Sequence, residues 1–104
     1  MKIIKKLSEM IEDEIDGAKN YAKKALEYKT ENRELADTLF NLSTEEMRHM
    51  QVLHGQVTRI IEAYRKEHGE PPPSMQAVYN YLHEKHIENA EEVKRYQALY
   101  KENF

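Results

Sequence analysis

Apolar residues recur along the chain in alternating steps of three and four, the period of helices that each bury one stripe. The first stripe, Ile4, Leu7, Ile11, Ala18, Tyr21, Ala25 and Tyr28, predicts a helix over about residues 3–29. A second, Leu35, Leu39, Leu42, Leu53, Val57, Ile60 and Tyr64, predicts a helix over 32–68, with Thr30 or Asn32 available as its N-cap. Residues 43–46 have the Ser-x-x-Glu form of a capping box, but the stripe passes through them in phase, so one continuous helix is expected. The stretch HGEPPPS at 68–74 ends it. Gly69 suits a helix terminus, the prolines cannot continue a helix, and Ser74 can cap the next one. The third helix is expected over 75–102. Its stripe is Met75, Val78 or Tyr79, Leu82, His86, Ala90, Val93, Tyr96 or Gln97, and Tyr100. Nothing alternates with the period of a strand. The expected fold is all-α, a single domain over 1–104 in which an antiparallel hairpin is joined by a third helix.

Carboxylates interrupt the first two of these stripes. Glu14 occupies a stripe position of the first helix, and Glu46 and His49 occupy consecutive stripe positions of the second. A Glu three residues before a His lies about one turn from it on the same helix face, so both can reach one ion. In a hairpin turning near residue 30, Glu14 and Glu46 each lie about sixteen residues, roughly 24 Å, from the turn and so fall at one level. His49 lies a turn further along. The three are therefore expected to converge in the core. A buried carboxylate must be paired, coordinated or neutralised, and a divalent metal satisfies two carboxylates and an imidazole most simply. Gly17 and Ala18, just after Glu14, would permit close helix approach or leave room for a ligand.

Composition narrows the chemistry. The chain has no cysteine, which removes disulfides, thiolate metal sites and thiol nucleophiles, so any metal is held by oxygen and nitrogen. Iron or manganese suits such donors, and zinc is possible. Sixteen basic and 19 acidic residues are interspersed to a net charge of −3, which gives no footing for nucleic-acid or membrane binding. The short apolar stretch at the N-terminus supports neither a signal peptide nor a membrane span, and a cytoplasmic protein is expected.

Glu14 within EIDGAKNYA, followed by EEMRH on the next helix, resembles one half of the ferritin-like superfamily in its rubrerythrin-like branch. Such families usually carry the Glu helix and the Glu-x-x-His helix twice per chain. This chain carries them once and in that respect is similar to encapsulated ferritins, which complete the site by dimerising. The resemblance covers residues 3 to about 64. It implies a four-helix bundle formed by a homodimer or larger even oligomer, and two iron ions bound by two copies each of Glu14, Glu46 and His49. Glu14 would be a terminal ligand, Glu46 a bridging one and His49 the histidine ligand. The implied activity is that of a ferroxidase or peroxidase-type oxidoreductase, oxidising Fe(II) or consuming peroxide or dioxygen. No second Glu-x-x-His follows the prolines, and no cysteine pairs supply a rubredoxin-type module. His86 is expected to be a packed, hydrogen-bonded histidine of the third helix, with the alternative of an additional ligand that has His54 or His83 near it. As separate residues, His54, His68 and His83 are expected to face solvent or cap helices. The alternative to a metal protein is a metal-free helical interaction or scaffold module, whose polar stripe residues fix pairing and register.

Overall fold

The computed structural model describes residues 1–102, so positions 103 and 104 of the expected domain lie outside the described residues. Three helices, α1 (Lys2–Tyr28), α2 (Arg33–His68) and α3 (Pro73–Lys101), account for nearly all of it, and no strand occurs among the described residues. The all-α fold and its three elements match the hydrophobic pattern. The molecule is a slender rod of 55 × 18 × 17 Å. Its radius of gyration is 16.7 Å, against about 13 Å for a compact chain of this length.

The breaks are built locally. Asn32 caps α2, its side chain accepting the Leu35 N–H at 3.1 Å. At the other end, Arg65, Lys66 and His68 in the last turn complement the helix dipole. Gly69, at φ 80°, donates its N–H to the Arg65 carbonyl at 2.9 Å and closes the helix in a conformation that favours glycine. α3 begins two residues earlier than a Ser74 cap allows. Pro73 is its first residue, where a missing N–H costs nothing and the ring fixes a helical φ.

α1 lies between the other two helices, and α2 and α3 approach each other far less closely than either approaches α1. The core joins Ile11, Ile15 and Ala18 of α1 with Met47 of α2 and Ala90 and Val93 of α3. At its centre the fully buried Ser43 hydroxyl donates to the Ala18 carbonyl at 2.7 Å and accepts from Gln97 Nε2 at 3.0 Å. One side chain thus ties all three helices. At the hairpin end, Tyr100 stacks on Phe40 with centroids 4.7 Å apart and donates its hydroxyl to Asp37. Buried Lys29 donates to the carbonyls of Tyr100 and Glu102, supplying a cation to the negative end of α3.

The face that each helix buries differs in part from the expected stripe. On α3 the buried residues Tyr79, His86, Ala90, Val93 and Tyr100 all belong to it. On α1, Ile4, Ile11, Ala18 and Ala25 are buried as expected, but Ser8, Ile15 and Ala22 replace Leu7, Glu14 and Tyr21. On α2 the buried residues are Ala36, Ser43 and Met47, each one position beyond Leu35, Leu42 and Glu46. The cause is α3. It lies along the Ser8–Ile15–Ala22 side of α1, as the Lys19–Glu92 ion pair at 3.0 Å and Lys23 over the Tyr96 ring show. The core is drawn toward that side, and the opposite side of the hairpin stays open. Glu14, Glu46 and His49 therefore stand at the edge of the core and not inside it.

Replacing Ser43 with alanine removes both bonds of its hydroxyl. A net contribution near 1 kcal/mol per hydrogen bond gives an expected loss of about 1–2 kcal/mol, read as a lower denaturant midpoint with an unchanged slope.

Candidate metal centre

Glu14 comes from the middle of α1, and Glu46 and His49 from consecutive turns of α2. The structure brings the three together, with one ligand atom from each lying within 4.8 Å of the others. Donors bound to one ion at about 2.1 Å stand roughly 3–4 Å apart, so a small contraction would close them on a metal. His86 stands outside this group. His49 Nδ1 lies 3.5 Å from Glu14 Oε2, an ion-pair distance without an aligned hydrogen bond. With both carboxylates ionised, Glu14 Oε2 consequently remains a buried oxygen with no donor. Such a group is costly to leave unmatched, and it points toward the other two.

Glu46 lies over Gly17. A Cβ built at residue 17 would fall 3.2 Å from Glu46 Oε2. The Glu46 carboxylate thus packs closely over the open Gly17 position, and a methyl there would crowd it by a few tenths of an ångström. The Glu46 carboxyl is raised above its ordinary value, first by a hydrogen bond with the Glu14 carboxylate, then by burial and by the Glu14 charge, with His49 acting in the opposite direction. The two carboxylates cannot both ionise without cost, and a proton or a cation between them removes it.

The site is open. His49 has 47% of its side chain exposed and Glu14 27%. Met10, four residues before Glu14, and Val52, three after His49, share its face and are 49% and 59% exposed. Two carboxylate donors and one imidazole, an oxygen with no donor and an open glycine position beside Glu46 all suit a divalent ion of the iron or manganese type. Three ligands leave its coordination incomplete. No family model, curated protein or solved structure matches the chain.

Of the remaining histidines, His68 and His83 are exposed as expected and His54 is half-buried. His54 and His83, read as solvent-facing or capping residues, meet across the α2–α3 groove with ring nitrogens 3.3 Å apart. His86 is buried at 6% exposure, between the groove and the Ser8 backbone. His68 lies at the α2 terminus against the Tyr64 ring. The periodicity signalled His86 as a stripe residue, but His54 and His83 lie off their stripes, and only a levelled pairing of α2 with α3 could have joined them.

Two outcomes follow for protein stripped of metal. Because Glu46 titrates above its ordinary value of 4.5, its contribution to stability is fully present below that pH and is lost as pH rises through the folded value. Glu46→Gln should therefore stabilise the chelated protein at pH 7, and the gain should vanish near pH 4, in denaturant titrations at both pH values. Gly17→Ala should raise helix stability by up to about 1 kcal/mol in the same chelated protein, while weakening metal binding at least tenfold because the added methyl confines Glu46. Calorimetric titration with Mn(II) reads the second effect.

Proposed function

We propose that the chain is one half of a ferritin-like dinuclear carboxylate protein whose centre is completed by a second copy. The observation that carries this reading is the convergence of Glu14, Glu46 and His49 on an open hairpin face. Two such faces about a two-fold axis supply four carboxylates and two imidazoles, the ligand inventory of di-iron and di-manganese bundles. α3 leaves the face free because it packs on the other side of α1, so dimerisation would produce a central four-helix bundle with a third helix outside each hairpin. Ile3, Met10, Leu35 and Val52, all more than a third exposed, would gain cover, as would His49.

In this reading Glu14 is a terminal ligand. Glu46, beside the open Gly17 position, would supply a carboxylate to both ions, and His49 would supply nitrogen from the next turn. When bound, a pair of ferrous ions would supply the electrons that reduce dioxygen or peroxide and would themselves be oxidised to Fe(III). The residues hold the charge. Glu14 and Glu46 would face bound cations as carboxylates, and the shared face of the two copies would keep bulk water from them. None of the described helices is long and apolar enough to cross a membrane, and a cytoplasmic homodimer fits the reading.

A metal-free interaction module is the competing reading, favoured by one observation. The raised Glu46 carboxyl can share a proton with Glu14 and satisfy the pair without a cation.

Anaerobic loading with Fe(II) separates the two. Binding of about one ion per chain is expected, on a species with twice the chain mass by sedimentation, and Glu46→Ala with His49→Ala should abolish it. Unchanged binding in the double variant, or a melting temperature indifferent to chelator, would sink the metal reading.

A further inference from the structure

The groove between α2 and α3 holds a second set of ligating side chains, remote in chemistry from the carboxylate centre. His54 projects from α2, and His83 and His86, one turn apart, from α3. Two cavities, of about 350 and 290 Å³, flank them, and all three imidazoles line both. The rings therefore form the partition between the two spaces. The linings mix apolar and charged residues, with Ile4, Val57, Glu62 and Arg65 on one side and Met50, Ile87, Glu91 and Lys94 on the other.

We infer that His54, His83 and His86 form a binding site for a borderline divalent transition ion of the zinc class, which would clip α3 to α2. Three observations carry the inference. His54 Nε2 and His83 Nδ1 lie 3.3 Å apart. Two nitrogens bound at about 2.05 Å to one tetrahedral ion are separated by roughly 3.3–3.4 Å, so the pair already has the spacing of neighbouring ligands. His86 is 6% exposed, and its Nε2 is buried without a hydrogen-bond partner. Its ring meets the Ser8 backbone, the kind of contact that orients a ligating imidazole. Finally, α2 and α3 make few close approaches of their own, so a bond across the groove has something to hold.

The donor set decides the metal class. Three neutral imidazoles with no thiolate suit Zn²⁺, Cu²⁺, Ni²⁺ or Co²⁺, whereas the Glu14 centre has two oxygen donors and one nitrogen. The proton that His54 and His83 share need not be lost. Each neutral ring can carry its proton on the nitrogen turned away from the ion, which frees the facing lone pairs with no net change in charge. Burial keeps His86 neutral, the form that ligates. The three nitrogens are less tightly gathered than the donors of the Glu14 group, so the ion would draw His86 toward the other two. The fourth position opens on the flanking cavities, with room for water.

Co²⁺ serves as the probe because four-coordinate nitrogen sites give it intense visible bands. The Glu46→Ala, His49→Ala double variant silences the carboxylate centre. It should still bind one Co²⁺ per chain, with visible bands that Zn²⁺ displaces, and Zn²⁺ should raise its melting temperature. Adding His54→Ala or His83→Ala, both at the groove surface, should weaken binding at least tenfold while the circular dichroism spectrum stays helical. Absence of Co²⁺ and Zn²⁺ binding in the double variant, or affinity unmoved by His83→Ala, overturns the inference. Crystals of the unaltered protein soaked in Zn²⁺ give an independent measure. An anomalous peak among the three imidazoles supports the site, and a peak confined to Glu14, Glu46 and His49 refutes it.

Discussion

The Ser43 hydroxyl, buried between three helices and bonded to Ala18 and Gln97, sets the register on which the candidate metal centre depends. Ala18 lies one turn beyond Glu14, and Ser43 lies three residues before Glu46. Holding those two points together places Gly17 under the Glu46 carboxylate and His49 beside Glu14. A slip of α2 by one turn would move its donors about 5.4 Å along α1, more than the 4.8 Å that encloses the group. Apolar packing alone resists such a slip weakly, because stripes repeat every turn. A buried polar bond resists it strongly, since its loss leaves donor and acceptor without water.

The same clasp explains why the carboxylates lie at the edge of the core. Gln97 draws α3 onto one side of the hairpin, and the core follows, through Ile15, Met47 and Val93. The opposite side keeps Glu14, Glu46 and His49 with a rim of exposed apolar residues. The chain therefore has two faces on its hairpin and one spare helix. The rod's width of 17–18 Å leaves every helix with a large solvated surface.

Helix number, breaks and the convergence of Glu14 with Glu46 and His49 were legible in the sequence, because each depends on period, prolines and distance from a turn. Which neighbouring stripe is buried was not. Leu7, Glu14 and Tyr21 compete with Ser8, Ile15 and Ala22 for the same seam, and both sets keep the heptad step from Ile4, Ile11 and Ala18. Periodicity resolves a helix face to about one residue, or roughly 100° of rotation. The choice is made by α3, whose side of approach no local pattern records. Ser43 was similarly ambiguous. Its Ser-x-x-Glu context imitates a helix start, whereas its hydroxyl is used across helices inside a continuous α2.

The placement of α3 also separates two kinds of donor. Oxygen-rich ligands collect on the hairpin face that α3 leaves open, and imidazoles collect in the groove that α3 forms with α2. Hard and borderline ions would thus partition by donor type. The two sets differ in mechanical consequence as well. A cation at Glu14 and Glu46 would relieve a carboxylate pair already held by the Ser43 clasp, and so would act on charge within a fixed hairpin. A cation among His54, His83 and His86 would bridge the two helices that hold each other least, and so would act on the position of α3. Because α3 determines which face of the hairpin is open, a constraint on α3 in the groove also bears on the face where a second copy would dock.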